Sequence, residues 1–435
     1  MKPILANFSL HGSLEKIRKS TFARNAGWLM AGQGAGFFFQ AVVFVVLARL
    51  IGSTGYGVFV GAFAFSNLFA QYSGLGTGSV FLRYVTGRPG EFAPYFGNVL
   101  LLTSAMSGFL IAALTLSSKH FLNPDSAHIV LLTAVGNCFF GQLTQEIAKI
   151  FQSFEKMRIT ATLNLLVTAL RALAVVVLIV TVHRASAFQW AVVSTTVSGV
   201  SAGAAVILVI VNFGWPIFNP RLARKHVWEG LGFSFGASTS SVYNDIDKTM
   251  LSHYGMNESN GIYSMAYRVI DLASMPIYAI RDASTPRLFE RGRDGIVNSA
   301  EYGRRILRRS IILSLGISVA LMLCAPIIPR LAGHGFSQSV SALRWLAIIP
   351  IFRSVHQLKG IVLTTSGHQS FRVGAQLVAA CFNFGVNLWL IPHFGWRGAA
   401  WASIVTDGLL AVVMWLAVKV FSRPAAQCFA VPTRS

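Results

Sequence analysis

Several long apolar runs of this sequence contain ionisable side chains. A charge in the middle of a bilayer costs about 2.5 to 3.5 kcal/mol, so such a side chain normally faces a protein cavity or a partner. The basic members of this set are Arg171, Lys248, Arg268, Arg281 and Arg353. Arginine offers a planar fork to phosphate oxygens and lysine a movable point charge, so these residues predict a cavity that binds anionic groups.

Acidic side chains accompany two of the basic ones at helical spacing. Asp245 lies three residues before Lys248, and Asp271 lies three residues after Arg268. Side chains three apart on a helix are neighbours. Each pair is either an internal ion pair that makes insertion into the membrane tolerable or a pair that opens when a substrate anion competes for the cation.

Two further aspartates are not assigned to such an ion pair. Asp247 lies on another face of the helix that contains Lys248, and Asp407 is a lone carboxylate in the last apolar run. Both are candidates for ion pairing or for carrying a coupling proton or sodium ion. A buried, hydrogen-bonded carboxylate without a coupling role is the alternative.

Two other groups of residues are candidates for substrate binding. Arg353, His356 and Lys359 recur at intervals of three, which places them on one helix face and predicts a cavity wall. Arg24 and Asn25 stand where the first apolar run begins, at the depth expected for lipid headgroups. For Arg24 the alternative is snorkelling to the membrane interface.

Membrane-spanning helices must position these residues. Of the 435 residues, 54% are hydrophobic and 12% are charged, which is typical of a membrane protein. Runs of about 20 apolar residues recur with short polar connections, so we predict an all-α membrane protein of about twelve transmembrane helices. The predicted spans are roughly 25–48, 57–80, 97–118, 127–151, 159–182, 187–212, 228–255, 261–285, 308–332, 340–366, 372–392 and 398–421.

Basic residues are distributed unevenly between the two sides that these spans define. The formal net charge is +21, and most Lys and Arg residues fall on the side of the N-terminus. The positive-inside rule assigns this side, with both termini, to the cytoplasm. The longest connection on this side contains Arg287, Arg291, Arg293, Arg304, Arg305, Arg308 and Arg309. Such a loop meets anionic membrane lipids, and nucleic acid is not an expected partner.

The junctions of the first and seventh spans with the spans that follow them are similar. With one gap, Gly52 aligns with Gly255 and Gly57 with Gly261, a separation close to half of the chain. This repeat predicts two six-helix bundles related by an axis along the membrane normal, and chance similarity of glycine-rich turns is the alternative. The predicted division is an N-terminal segment 1–24, a bundle 25–212, a linker 213–227, a bundle 228–421 and a tail 422–435.

Three stretches resemble the multidrug/oligosaccharidyl-lipid/polysaccharide exporter superfamily and, within it, the Wzx-type polysaccharide flippases. They lie at 25–84, beginning Asn25-Ala-Gly-Trp28, at 245–268, beginning Asp245-Ile-Asp-Lys248, and at 387–400, ending Gly398-Ala-Ala400. The resemblance implies a V-shaped pair of bundles in the bacterial inner membrane. It implies transport of an undecaprenyl-diphosphate-linked oligosaccharide to the periplasmic leaflet by alternating access, with coupling to H⁺, Na⁺ or the membrane potential.

Other functions remain open at this point. A polysaccharide polymerase and chain-length or export machinery are partners implied by the resemblance, and a membrane polymerase or ligase is itself a second candidate function. A drug exporter of the same superfamily is a third, although export of organic cations would favour an acidic cavity. The four cysteines lack the spacing of a metal site, and no phosphate-binding loop or nucleophile elbow is present. We therefore expect a transporter, not an enzyme, without a metal or cofactor.

Overall fold

The computed structural model describes residues 21–182 and 185–422, with side chains left out at 21–31, 33, 89 and 240. The predicted segment 1–24 and tail 422–435 thus lie almost wholly outside the described residues. All regular secondary structure in the described residues is helical, which confirms the predicted fold class.

The first half of the chain forms eight α-helices. The 3₁₀-helix Pro89–Glu91 precedes the third of them, and the π-helix Val135–Gly141 joins the fifth to the sixth. The α-helices are α1 Thr21–Ser73, α2 Thr77–Val85, α3 Phe92–Phe121, α4 Pro124–His128, α5 Val130–Ala134, α6 Gln142–Ser153, α7 Met157–Thr181 and α8 Ala187–Phe213.

The second half begins after the non-helical stretch 214–219. The Asn219 side chain caps the next helix by accepting a hydrogen bond from the backbone N–H of Leu222 at 3.2 Å, and Pro220 occupies its first turn. The 3₁₀-helix His334–Phe336 lies between two of the helices. The helices are α9 Pro220–His253, α10 Asn257–Ala273, α11 Met275–Gly292, α12 Ile296–Cys324, α13 Ile327–Ala332, α14 Ser339–Leu346, α15 Ile349–Thr365, α16 Gln369–Phe394 and α17 Trp396–Phe421.

All twelve predicted spans fall on these helices. In the described residues, seven helical segments are long and apolar enough to cross a membrane by themselves, and the first of these, 34–85, contains two predicted spans. The pair His334–Leu346 and Ile349–Thr365, bent by 49°, passes the same test when taken together. Helices α9 and α11 do not pass because they carry many polar and charged residues, and α10, with 17 residues, is too short.

The turn between the first two predicted spans is a kink within α1. Gly52 has φ 70° and ψ 177°, a conformation that interrupts the helix and that residues with a Cβ rarely adopt. A side chain in such a left-handed conformation costs roughly 1 to 2 kcal/mol. Gly255, its partner in the sequence repeat, has φ 72°. The repeat therefore marks two turns with the same conformational requirement.

Contacts between the two halves close one face of the molecule, which we call the closed face. Gly57 packs so tightly on α10 that an added Cβ would lie 1.7 Å from the carbonyl oxygen of Asn257, and one added at Gly261 would lie 2.0 Å from that of Ser53. The Asn123 side chain donates a hydrogen bond to Asn257 Oδ1 at 2.8 Å. An apolar core shared by both halves continues from these contacts.

The opposite face contains the stretch 214–219 and the arginine-rich connection 287–309, and we call it the arginine-rich face. This connection is not the loop that the sequence predicts, because α11 extends to Gly292 and α12 begins at Ile296. Here α9 packs on the first half with Gly230 against the carbonyl oxygen of Leu75, and the preceding stretch packs on it with Ile217 against Gly97. Arg83 forms an ion pair with Glu229 at 2.7 Å across the same junction. The two halves are thus joined at both faces, by α1 and α10 at the closed face and by α9 and the stretch before it at the arginine-rich face.

Candidate functional site

A polar cavity of about 820 Å³ lies between the two halves. Residues of α1, α7 and α8 face residues of α9, α10, α11, α15 and α16 across it. Its lining reaches Arg281, Asp282 and Thr285, just before the arginine-rich connection, whereas the contacts of Gly57 shut the other end. The cavity therefore opens towards the arginine-rich face. Its volume lies in the upper part of the range of about 300 to 1,000 Å³ that is usual for ligand pockets.

The two walls of the cavity differ in charge. The first half contributes one charged side chain, Arg171, among neutral polar and aromatic groups. Those groups include Gln40, Phe59, Phe63, Asn67, Thr133, Asn137, Thr168, Trp190, Ser194, Thr195 and Ser198. The second half contributes Asp245, Lys248, Arg268, Asp271, Arg281, Asp282, Arg353, His356 and Arg372. Six Arg or Lys side chains and three aspartates line the cavity in the described residues, so its charge is positive.

Two of the predicted cations are neutralised by aspartates. Lys248 Nζ lies 2.7 Å from Asp245 Oδ1, as the spacing predicts, and the other oxygen of Asp245 accepts a hydrogen bond from Asn67 of the first half. Arg353 Nη1 lies 2.6 Å from Asp271 Oδ1. Asp245 thus connects the two halves, and Asp271 connects α10 to α15.

The pairing of Asp271 differs from the sequence expectation. The spacing of three residues predicts an ion pair with Arg268 on the same helix, yet Asp271 pairs with Arg353. Helix spacing shows only which residues can be neighbours on one helix, and α15 brings a second guanidinium closer to this carboxylate. In the described residues Arg268 consequently forms no ion pair, although Asp271 and Asp245 still attract it.

Arg171 and Arg268 line the cavity from opposite halves, and neither has a carboxylate within ion-pair distance in the described residues, although Asp271 and Asp245 still attract Arg268. Arg171 Nη2 donates to Ser198 Oγ at 2.9 Å, and its Nε is buried without a hydrogen-bond partner. Arg268 lies beside the hydroxyl of Tyr56. The two guanidinium groups are close enough for their charges to repel. In the described part of the chain neither forms an ion pair, so together they are a candidate anion site in the cavity.

Asp407 is fully buried behind the cavity wall. Its carboxylate accepts a hydrogen bond from the Tyr243 hydroxyl, lies 3.2 Å from His356 Nε2 and lies 4.0 Å from Arg353 Nε. The sequence predicts a lone carboxylate here, whereas the fold surrounds it with donors from α9 and α15. Arg353 therefore shares its charge between Asp407 and Asp271.

Asp247, in contrast, has only neutral donors in direct contact. Its oxygens accept hydrogen bonds from the Tyr263 hydroxyl, the backbone N–H of Lys248 at 2.8 Å and Ser403 Oγ at 3.4 Å. The residue is 3% exposed. Lys248 attracts this buried carboxylate but forms its ion pair with Asp245, so Asp247 is a candidate for taking up a proton or a small cation.

The remaining predicted binding residues are placed as follows. Arg353 and His356 line the cavity, whereas Lys359, the third member of the stripe, is buried beside Arg304 and does not line it. Arg24 and Asn25 lie in the first turns of α1, and their side chains are outside the described part of the structure.

Sequence reasoning missed Arg372 as a cavity residue. It lies one turn inside α16, at the edge of a predicted span, where a basic side chain is normally interpreted as snorkelling to the interface. In the structure it lines the cavity instead. Gly360, opposite it on α15, is the one feature of the sequence that could have indicated close packing there.

Two helical halves around a polar, charged cavity define a membrane transporter. The chain belongs to a family described as polysaccharide biosynthesis protein, whose model matches residues 22–291. No curated protein sequence matches this chain.

Solved structures of transporters have the same fold. A multidrug resistance MATE family transporter of the MOP superfamily in an inward-facing conformation superposes with a TM-score of 0.73 at 15% identity, covering 88% of this chain and 94% of that one. An outward-facing conformation of such a transporter gives 0.62 at 16% identity, covering 92% and 95%. A MOP superfamily transporter from Pyrococcus furiosus, described as having reversed polarity of its binding pocket, gives 0.66 at 15% identity, covering 92% and 95%. The predicted superfamily resemblance is confirmed, and the chain is a transporter, not an enzyme.

Proposed function

We propose that this transporter is a Wzx-type flippase that moves oligosaccharides linked to undecaprenyl diphosphate across the bacterial inner membrane, for surface polysaccharide synthesis. The observation that carries the proposal is the pair Arg171 and Arg268, two cavity arginines from opposite halves that form no ion pair in the described residues. A diphosphate supplies the negative charge that this pair lacks, and guanidinium groups bind its oxygens in a bidentate manner. The family match to polysaccharide biosynthesis supports the same substrate class.

The neutral wall of the first half is suited to the glycan. Sugars need hydrogen-bonding amides and hydroxyls together with flat aromatic surfaces, and Asn67, Asn137 and Trp190 line this wall. Trp190 is 2% exposed, and its indole N–H has no hydrogen-bond partner in the described structure.

Alternating access follows from the arrangement of the two halves. The arginine-rich face is the cytoplasmic one by the positive-inside rule, so the cavity is open to the leaflet in which the substrate is assembled. An anion that bridges Arg171 of the first half and Arg268 of the second draws the halves together on that side. Opening of the closed face then releases the substrate to the periplasmic leaflet, with Asp247 and Asp407 as the candidate carriers of a coupling ion.

Neutralising the central arginines tests this proposal. We expect Arg171→Gln and Arg268→Gln each to lower the rate of flipping of a lipid-diphosphate oligosaccharide in proteoliposomes about tenfold or more, because charge-assisted hydrogen bonds contribute about 1.5 to 3 kcal/mol. Arg305→Gln is the matched control, since Arg305 is 71% exposed and pairs with Glu301 on the arginine-rich face. Rates equal to that of the control in both variants would refute the assigned role.

A drug exporter is the second candidate, and the structural neighbours give it its support. The positive charge of the cavity counts against it for organic cations, because six basic side chains face three aspartates. Efflux of ethidium by the purified, reconstituted protein would favour this function.

A further inference from the structure

A second pair of arginines without adequate counterions lies at the mouth of the cavity. Arg281 of α11 and Arg372 of α16 both line the cavity at its end towards the arginine-rich face. Their charges are close enough to repel each other. Like charges are held together in a folded protein only at a cost, which a bound anion removes.

The partners of Arg372 are neutral. Its Nη1 donates to Thr364 Oγ1 at 3.0 Å, and no described carboxylate forms an ion pair with it. The guanidinium lies against Gly360, where an added Cβ would be 3.1 Å from Nε. Because Gly360 has no side chain, the guanidinium group of Arg372 can pack against α15.

The partners of Arg281 leave one edge of its guanidinium available. Its Nη1 donates to Gln357 Oε1 at 2.8 Å, its Nε pairs with Asp282 at 2.8 Å, and its plane lies 5.1 Å from the centre of the Tyr278 ring. Asp282 is 53% exposed, so water weakens its attraction. The charges of the two guanidinium groups are thus offset only in part, by one solvated carboxylate.

We propose that Arg281 and Arg372 form a loading site that binds the phosphate or diphosphate headgroup of the substrate before it reaches Arg171 and Arg268. Neutral hydrogen-bonding groups surround the two cations, as an oxyanion requires, and Gln376 lines the same end of the cavity. This inference rests on the proposed function for the identity of the lipid. The chemistry of the site, a phosphate oxyanion between two arginines, is independent of the glycan.

Two cation pairs in series would give the headgroup a path into the cavity. The outer pair belongs entirely to the second half, whereas the inner pair is divided between the halves. Binding at the outer pair therefore does not require the halves to move, and binding at the inner pair favours their approach. The site at the mouth collects the substrate, and the central site is coupled to the conformational change.

The test measures binding of inorganic diphosphate and of farnesyl diphosphate to the full-length protein in nanodiscs by calorimetry. We expect Arg281→Gln and Arg372→Gln each to weaken farnesyl diphosphate binding about tenfold, the effect of one lost charge-assisted hydrogen bond. Arg372→Lys keeps the charge but loses the fork, and its affinity should lie between those of the wild type and Arg372→Gln. Arg305→Gln serves again as the control and should bind as the wild type does.

The ligand comparison separates the sources of the anion. Binding of farnesyl diphosphate that is tighter than that of inorganic diphosphate and sensitive to both substitutions assigns the site to a lipid headgroup, and equal, sensitive binding assigns it to a free diphosphate. Unchanged affinity in the Arg281→Gln/Arg372→Gln double variant overturns the site. If the variants lose diphosphate binding while the wild type fails to flip the glycan lipid, the site stands and the proposed function fails.

Discussion

At the scale of single residues, the cations of the cavity fall into two classes. Lys248 and Arg353 are neutralised by Asp245 and Asp271, whereas in the described residues Arg171, Arg268 and Arg372 form no ion pair and Arg281 pairs only with the exposed Asp282. Removing a member of an ion pair leaves a partly buried charge without its partner and affects stability first. Removing an arginine that has no ion pair, or only an exposed one, relieves repulsion between the arginines and affects binding. Stability and binding measurements on the same variants therefore distinguish the two classes.

Asp407 provides the clearest stability test. Asp407→Asn removes the carboxylate that faces Arg353 and His356 in a fully buried position. Breaking a buried ion pair costs about 3 to 5 kcal/mol, so we expect the melting temperature of the purified protein to fall by several degrees. Glu301→Gln breaks an exposed ion pair that contributes less than about 1 kcal/mol, so the melting temperature should stay almost unchanged. A melting temperature of Asp407→Asn equal to that of Glu301→Gln would show that the buried cluster does not stabilise the fold.

At the scale of elements, the repeated glycines of the two halves meet each other at the closed face. Gly57 and Gly261, which the sequence aligns, pack within one contact region between α1 and α10. A Cβ at Gly57 would overlap the backbone of Asn257, and one at Gly261 the backbone of Ser53, so neither can be added unless the helices separate. These positions therefore hold the closed face shut.

We expect Gly57→Ala and Gly261→Ala to shift the transporter towards opening at the closed face. The measurement is cross-linking of Asn123→Cys to Asn257→Cys, whose side chains are in contact in this structure, in a cysteine-free background. Either alanine should reduce the cross-linked fraction to less than about half, because it destabilises only the state in which the helices touch. Gly203→Ala is the matched control, since a Cβ there meets nothing within 4 Å. Cross-linking that persists at the control level in both variants would exclude this role.

At the scale of the whole molecule, the sequence predicts the helices well and the site only in part. Apolar runs determine the helices because backbone groups inside a bilayer must pair within the same segment. The repeat of Gly52 and Gly255 is also visible in the sequence, since the left-handed turns at both positions favour glycine.

The arrangement of charges depends on which helices are neighbours, which spacing along one helix does not specify. Asp271 therefore pairs with Arg353 of α15 and not with Arg268. Arg372 was missed for the same reason, because its place at a span end predicts an interfacial side chain, and only the packing of α16 on α15 turns it into the cavity.

Direct observation of transport tests the central claim, that the cationic cavity moves a lipid-linked oligosaccharide. The wild-type protein is reconstituted into liposomes that contain a fluorescent oligosaccharide linked to a polyprenyl diphosphate, and the fraction of label exposed to a membrane-impermeant quencher is followed with time. We expect label from the inner leaflet to become accessible to the quencher much faster than in protein-free liposomes, and we expect no transport of ethidium. The claim would be contradicted if ethidium were transported while the labelled lipid became accessible only at the rate seen in protein-free liposomes.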